Sequence, residues 1–482
     1  MPSTPDRNAL VWAHYTEFNP TQWTQAAADF GSDYPKYTDT RPPIGGAFNF
    51  EPELATPIVN ELQRHCAPVF ELQGALKHHG WGKRGSKSLV AQCHAGTDAT
   101  YIVDEGRAYS EMWFGDIPSF PTHVNNGDKL NEVILSNPKP LLGEELSKYL
   151  HSLPFLVKIV SIAKGQPLKI HPNKRLARIL HKKNKTAFRQ DQHTPELAIA
   201  LTKFEVFAGY RPVSKIEAAF QHPALEPFAP KLTGTDNWSD NTTRQTMRNI
   251  LKADKNTIKT AVAAVLKAPR SGFGGAAYIP DMLPRLTRCY DDGDPTPLMA
   301  LTCLKYLELS QGEALYLPAD EAHVYITGDI LECMSRDEKL PNWGCCPSLT
   351  PAIIDLWCDT VKPQPHLRTD LVLVCEKTAR GRHSHTVVYQ PNVSEFDIFR
   401  IELRPNEQEF LEGGRGQGIL IVTKGKGVMR WQTNRNDQNL LLDVGSVTRE
   451  LVTGSTFYVA PHHAVSFHTR TGIQIYMATT HY

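Results

Sequence analysis

Residues 155–174 read FLVKIVSIAKGQPLKIHPNK, and residues 191–210 read DQHTPELAIALTKFEVFAGY. The first segment is an apolar, β-branched run that turns and restarts as a short strand ending at His171. The second segment places His193 and Glu196 at the head of another apolar run. Two imidazoles and a carboxylate at the ends of strands predict a metal site in this part of the chain.

The composition indicates a soluble globular protein with more than one core. The chain has 482 residues, 41% of them hydrophobic and 21% charged, and a formal net charge of +1. This length predicts two or three domains, and the small net charge gives no reason to expect nucleic-acid or membrane binding. No apolar run has transmembrane length, and the N-terminus is too polar for a signal peptide. We therefore expect a cytoplasmic protein with a small-molecule substrate; the oligomeric state stays open.

The hydrophobic pattern divides the chain into four parts. Short runs such as SLVAQC (residues 88–93) and SEMWFG (residues 110–115) alternate and predict strands. The run TRQTMRNILKADKNTIKTAVAAVLKAP places apolar residues three and four apart and predicts helices. We expect an N-terminal extension over residues 1–68, a catalytic barrel from residues 69–215 and 301–368, a helical insertion over residues 216–300 and a C-terminal barrel over residues 369–482.

A weak internal repeat favours the barrels. Gly312 opens the run GEALYLP, followed by His323, and Gly454 opens the run GSTFYVAP, followed by His463. A glycine, a short strand, a proline turn and a histidine opening the next strand resemble the spacing of cupin-type barrels. Small antiparallel barrels build their ligand site inside, from alternating strand residues. The predicted fold is therefore mainly β, with two cupin-type (jelly-roll) barrels plus a helical domain.

In these segments the chain resembles the type I mannose-6-phosphate isomerases (phosphomannose isomerases). The resemblance runs in order from about Val69 to the C-terminus and includes ELQGALKHHGWGKRGSKSLVA, YSEMWFGDIPS and LSQGEALYLPADEAHVYITGDILECM. It implies an aldose–ketose isomerase of the cupin superfamily, which moves a proton between C1 and C2 of a sugar phosphate through an enediol.

The resemblance also implies a metal centre. The family binds one zinc through a Gln and a His two residues apart, a Glu and a second His. The implied ligands are His171, Glu196 and His323, but Lys169 stands at the Gln position, and alternation points residues 169 and 171 into one cavity. A protonated lysine repels a divalent cation and competes for Glu196. We expect zinc, with iron(II) or manganese as alternatives, or no metal if Lys169 displaces it.

Several polar positions of the family's pocket are exchanged in this chain. Thr194 replaces a lysine, Asn342 replaces a catalytic arginine, and an early Gln-x-Tyr pair becomes Lys77 and His79. Tyr325 and Glu332 match the family. Together with Lys169 and Asn342, which stand at exchanged positions, they are the candidate catalytic residues. The implied residues of the substrate pocket are Glu111, Trp113, Lys174 and Thr194.

We interpret the chain as a phosphomannose-isomerase-like, metal-dependent enzyme with a rebuilt pocket. Because framework residues are kept while pocket residues change, we expect proton-transfer or isomerisation chemistry on a carbonyl or sugar-type substrate other than mannose 6-phosphate. Two alternatives stay open. One is an authentic mannose-6-phosphate/fructose-6-phosphate isomerase, and the other is a non-catalytic cupin binding protein.

Overall fold

The computed structural model contains two large antiparallel sheets and a set of helices. It describes residues 67–98, 100–170, 173–183, 195–232, 237–273, 278–318, 320–336, 350–393, 395–433 and 445–480. Within these residues the protein is mainly β with several helices, so the coarse prediction of fold class is confirmed. The division into two cupin-type barrels and a helical domain, with the boundaries given above, stays a prediction.

Short apolar and alternating runs form the strands. The strands before residue 340 are β1 (Val69–Gln73), β2 (Ala75–Lys77), β3 (Lys83–Arg84), β4 (Ala108–Tyr109), β5 (Glu111–Phe114), β6 (His123–Val124), β7 (Phe155–Ile162), β8 (Lys169–Ile170), β9 (Glu196–Ala200), β10 (Phe204–Tyr210), β11 (Leu304–Leu309), β12 (Ala314–Leu317) and β13 (Ala322–Ser335). The later strands are β14 (Val372–Leu373), β15 (Glu376–Lys377), β16 (Thr386–Tyr389), β17 (Asp397–Leu403), β18 (Gln408–Leu411), β19 (Gly418–Thr433), β20 (Gly445–Val452), β21 (Thr456–Val459), β22 (Val465–His468) and β23 (Ile473–Thr479).

Strand β13 organises the ten-stranded sheet, whose main path is β14-β12-β9-β13-β7-β5-β2. Its first half pairs with β8 and β10, and its second half pairs with β7 and β9. The halves meet at Gly328, where φ is +135° and a Cβ would lie 2.8 Å from the carbonyl oxygen of Lys203. Glycine fits this bend because any side chain would clash. One strand thus carries His323 and Tyr325 in its first half and Glu332 in its second.

The eleven-stranded sheet contains most of the C-terminal strands, along the path β15-β16-β17-β23-β19-β21-β1-β6. Strand β1 belongs to this sheet although it lies near the other end of the chain. It pairs with β21 so that Val69 is opposite Val459 and Phe70 is opposite Tyr458, and the two aromatic rings stack with centroids 4.9 Å apart. Among the described residues after residue 371, the regular elements are strands β14 to β23.

Five of the twelve α-helices in the described residues lie between β10 and β11. The helices are α1 (Leu89–Thr97), α2 (Leu130–Ser136), α3 (Pro138–Leu142), α4 (Glu144–Ser147), α5 (Lys174–Lys183), α6 (Val213–Phe220), α7 (Asp240–Lys252), α8 (Lys255–Lys267), α9 (Ile279–Thr287), α10 (Thr296–Cys303), α11 (Pro351–Thr360) and α12 (Arg368–Leu371). Asp254 caps α8 by accepting hydrogen bonds from the backbone of Asn256 and Thr257. None of the described helices combines the length and apolar composition that a membrane-spanning helix needs.

The prediction that SLVAQC forms a strand is wrong, since these residues open helix α1. The Ser88 hydroxyl accepts a hydrogen bond from the Ala91 N–H and caps the helix. Val90, Ala91 and Cys93 are buried on one side, and the Val90 N–H donates to Ser161 Oγ on β7. Residues 88–93 are too few for their periodicity to distinguish a helix from a strand. The Ser88 cap and packing against the sheet determine that they open a helix.

Candidate active site

Neighbouring strands of the ten-stranded sheet carry charged side chains at paired positions. Lys77 on β2 is opposite Glu111 on β5, and Trp113 on β5 is opposite Lys158 on β7. Lys158 is also opposite Glu332 on β13. Because ladder partners share a face, as do residues two apart on a strand, all five side chains lie on one face of the sheet. We call this set the charged wall.

The Lys158 ammonium and the Glu332 carboxylate form a buried ion pair at the centre of the charged wall. Burial disfavours the lysine charge, but the charges of Glu332, Glu111 and Glu196 outweigh it and raise the pKa of Lys158. Burial and the charge of Glu196 raise the pKa of Glu332 despite its lysine partner. Lys158 therefore keeps its proton at neutral pH, and Glu332 takes up a proton more readily than an ordinary glutamate.

Glu111 supplies a fixed negative charge to the charged wall. Its Oε2 lies 3.4 Å from His79 Nε2, and the His79 ring stacks on Trp81 with centroids 5.5 Å apart. Burial opposes ionisation of Glu111, but the hydrogen bond from His79 and the charges of Lys158 and Lys77 hold its pKa at about 2. This carboxylate is ionised at any physiological pH and does not act as a proton carrier.

Lys77 lies against aromatic rings at one edge of the charged wall. Its Nζ is 3.5 Å from the centroid of Trp113 and 4.7 Å from that of Phe120. A second amine lies near the same ring, since Lys158 Nζ is 4.8 Å from the Trp113 centroid. Cation–π contacts of this kind stabilise an ammonium that is only partly exposed. Burial nevertheless lowers the pKa of Lys77 to about 8.

A second group of side chains meets around Tyr325. Its hydroxyl donates a hydrogen bond to Glu196 Oε1, and its ring centroid lies 4.9 Å from that of His323. Lys169 is opposite His323 in the ladder between β8 and β13, with its Nζ 5.3 Å from the Tyr325 ring centroid. Burial and the charges of Glu196 and Glu332 raise the pKa of Tyr325 well above its usual value. Its hydroxyl therefore stays protonated and remains a donor.

Glu196 and His323 supply a carboxylate and an imidazole, which are donors that zinc accepts in proteins. Both side chains are buried, with 1% and 0% exposure. The described residues contain no set of three His, Cys, Asp or Glu side chains that could hold a metal, and His171 lies outside these residues. Two of the three predicted zinc ligands, Glu196 and His323, are thus among the described residues, and their side chains are of types that bind zinc. The Lys169 ammonium is the group in this set that opposes a cation.

The structure brings most of the predicted site residues together. Those found in the charged wall or in the group around Tyr325 are Glu111, Trp113, Lys169, Glu196, His323, Tyr325 and Glu332. Lys174 is the first residue of α5. His171, Thr194 and Asn342 lie outside the described residues, and their roles stay predictions.

Lys158 is the site residue that sequence reasoning missed. It lies in the middle of FLVKIVSI, and all eight residues of this strand are buried. Burying an ammonium costs free energy unless a counter-charge is present. A lysine inside an otherwise apolar buried strand therefore signals a carboxylate on a neighbouring strand, which here is Glu332.

The chain is similar to known proteins over most of its length. The family profile described as "Phosphomannose isomerase type I, catalytic domain" matches residues 69–213. A mannose-6-phosphate isomerase from Schizosaccharomyces pombe is 30% identical over 379 residues, which cover 75% of this chain and 90% of the relative. A mannose-6-phosphate isomerase from Cryptococcus neoformans is 27% identical over 445 residues, which cover 85% and 98% respectively.

Solved structures share the fold. Mannose 6-phosphate isomerase from Salmonella typhimurium, in its apo form, gives a TM-score of 0.68 at 21% identity and covers 86% of this chain and 99% of that one. A mannose 6-phosphate isomerase bound with zinc and yttrium gives a TM-score of 0.66 at 20% identity and covers 86% and 100%. On the strength of the aligned relatives and the matched catalytic domain, this chain belongs to the type I phosphomannose isomerase family.

Proposed function

We propose that this protein interconverts mannose 6-phosphate and fructose 6-phosphate. The proposal rests on one observation: the ten-stranded sheet brings together side chains that match the family. They are Glu111, Glu196, His323, Tyr325 and Glu332. Relatives that align over nine-tenths of their length carry the name mannose-6-phosphate isomerase. These findings favour the authentic isomerase over the interpretation that the substrate is a different sugar or carbonyl compound.

The reaction needs a group that moves a proton between C1 and C2 and positive charge near the developing oxyanion. Glu332 is suited to the first task because its buried carboxyl has a raised pKa and can accept and return a proton at an Oε atom. Lys158 is suited to the second task because its ammonium stays charged inside the sheet. Tyr325 orients Glu196 through the hydrogen bond from its hydroxyl.

Zinc is the proposed cofactor, held by Glu196 and His323 together with His171, the ligand predicted from sequence. When bound, it would act as a Lewis acid on the sugar's carbonyl oxygen. Donors of these types suit a catalytic zinc site. Tyr325 would fix the orientation of the Glu196 ligand, as outer hydrogen-bond partners do at metal sites.

The test combines metal analysis with an isomerase assay on full-length protein purified without added zinc and without an affinity tag. We expect about one equivalent of zinc per chain, as in catalytic sites of this type. Fructose 6-phosphate should form from mannose 6-phosphate, and a chelator should abolish this activity until zinc is restored. Protein that holds zinc but converts neither sugar phosphate would contradict the proposed substrate, and protein that never binds zinc would contradict the proposed ligands.

Lys169→Gln is expected to tighten zinc binding. The substitution removes the positive charge opposite His323 and introduces an amide oxygen, so the dissociation constant should fall on the order of tenfold or more. Competition with a chromogenic chelator measures this constant. The exposed Lys164→Gln, five residues earlier, is the matched control and should bind zinc as the unaltered protein does. Equal affinities for all three proteins would show that the Lys169 charge does not act on the metal.

A second candidate is a related enzyme that acts on a different carbonyl or sugar substrate. The observation that favours it is Lys169 at a ligand position of the family, close to the Tyr325 ring. This enzyme would hold metal, which is zinc, iron(II) or manganese, and would ignore both hexose phosphates. A non-catalytic binding protein would instead hold no metal. The combined assay above therefore separates all three functions.

A further inference from the structure

Lys77 is the amine of the charged wall whose close contacts are aromatic. Lys158 has Glu332 as its ion-pair partner, whereas Lys77 Nζ lies over the rings of Trp113 and Phe120. Among the described residues, no carboxylate lies within ion-pair distance of Lys77, and the neighbouring Glu111 carboxylate is contacted by His79. An ammonium has three N–H donors. Lys77 therefore presents donors that the described side chains leave for another acceptor.

The surroundings of Lys77 disfavour its charge in the unliganded protein. Burial is the largest cause, and the charges of Lys158 and Lys169 add to it, while Glu111 and Glu332 act in the opposite direction. The net effect lowers the pKa of Lys77 to about 8. A charged amine kept in a place that opposes its charge is a feature of binding and catalytic sites, where stability is lost for function.

The positively charged side chains of the pocket stand at different positions in this chain than in the family that it resembles. At two positions where the family has a lysine and an arginine, this chain has the neutral Thr194 and Asn342. At two positions where the family has glutamines, this chain has Lys77 and Lys169. Two neutral positions of the family have become positive, and one of them is on β2 at the edge of the charged wall.

We infer that the Lys77 ammonium binds the anionic phosphate group of the substrate, at the Trp113 edge of the charged wall. The chemical class of ligand is a phosphate monoester of a small polyol or sugar. The identity of that ligand as a hexose 6-phosphate rests on the proposed function. Lys77 thus determines substrate affinity, and it takes over a charge that the family places elsewhere.

Binding of a phosphate dianion stabilises the protonated form of Lys77. Near pH 8 Lys77 is therefore only partly protonated in the unliganded protein, and phosphate binding should be accompanied by proton uptake. Affinity should be highest below pH 8 and should fall as the pH rises above it. The charged groups that surround Lys77, and that any pH profile must take into account, are Glu111, Lys158, Lys169 and Glu332.

The experiment is calorimetry of fructose 6-phosphate binding to the full-length protein, at pH 8 and in two buffers of different ionisation enthalpy. Lys77→Gln is expected to weaken binding tenfold or more and to eliminate the proton uptake. Lys77→Arg should keep the affinity but lose the proton uptake, because arginine does not titrate in this range. The exposed Lys87→Gln is the matched control and should behave as the unaltered protein does.

The thermal unfolding of each variant is measured as well, to show whether the variant is folded. Lys77→Met should raise the unfolding midpoint near pH 7, because a partly buried charge is removed while the aliphatic contact with Trp113 is kept. If Lys77→Gln melts early, Lys77→Met serves in the binding measurement instead. Unchanged affinity, or unchanged proton uptake, in a folded charge-removing variant would overturn the inference.

Inorganic phosphate is the second probe and separates this inference from the proposed function. Protein that binds phosphate or fructose 6-phosphate through Lys77 but isomerises neither hexose phosphate would leave the inference standing and overturn the function. If the Lys77→Gln protein isomerises mannose 6-phosphate with an unchanged KM, the proposed function stands and the inference about Lys77 is overturned. Protein that binds neither probe would overturn both.

Discussion

Glu196→Gln is expected to reduce kcat/KM for mannose 6-phosphate by about 10³-fold or more, on the scale of a lost metal ligand or oxyanion donor. The side chains have nearly the same shape, and the amide oxygen still accepts the hydrogen bond from Tyr325, so the fold should survive. The substitution removes the negative charge that would bind zinc and that raises the pKa of both Lys158 and Glu332. Steady-state kinetics and zinc content measure the two effects together.

The control for this substitution is Glu308→Gln on β11, which changes an exposed glutamate paired with Lys203. It should leave zinc content and kcat/KM unchanged, since exposed ion pairs contribute little. A Glu196→Gln protein that keeps a full equivalent of zinc and more than a tenth of the activity would refute the assignment of Glu196 as a ligand.

Lys158→Met is expected to lower the free energy of unfolding by about 3–5 kcal/mol at pH 7, the usual cost of removing one partner of a buried ion pair. Both side chains of the pair are almost fully buried, with 6% and 1% exposure for Lys158 and Glu332. Without the ammonium, the Glu332 carboxylate is left in the sheet near Glu196 and Glu111. Urea unfolding followed by circular dichroism measures the loss.

The loss of stability caused by Lys158→Met should be smaller at acid pH, because Glu332 is then protonated and carries no unpaired charge. Its pKa is raised in the folded protein, so the folded state binds this proton more tightly than the unfolded state, and stability falls as the pH rises through the folded pKa. Lys158→Met/Glu332→Leu, which removes both charges, should recover to within about 1 kcal/mol of the unaltered protein while remaining inactive. A single variant as stable as the unaltered protein at pH 7 would show that the pair is not buried in solution.

Local pattern was sufficient for some elements of the fold and not for others. Asp254 before an apolar-periodic run predicts the start of α8, and the structure has the cap there. The short, apolar pattern of residues 88–93 predicts a strand, but a serine cap and packing against β7 make Leu89 and the residues after it helical. Cross-strand register, such as Lys169 opposite His323, depends on contacts far apart in sequence, and periodicity carries no record of it.

The candidate site was predicted best where the resemblance supplied positions. Glu196, His323 and Tyr325 were assigned from the family's pattern, and the structure brings them together. Lys158 lies in an apolar strand whose pattern alone does not mark it as a site residue; its burial, which demands a partner, is visible only in the structure. Zinc and the choice of substrate are questions of affinity, and the residue pattern alone does not decide them.

The pairing of β1 with β21 has a consequence for how the protein is made. Residue 69 leaves the ribosome long before residue 459, its partner in the sheet. During synthesis β1 can pair with the nearby β6, but the backbone groups that pair with β21 must wait until the last strands emerge. Contacts of such high contact order form slowly. We expect nascent chains truncated before β21 to expose this apolar strand as an aggregation-prone edge. The C-terminal strands thus complete the folding of a segment synthesised near the beginning of the chain.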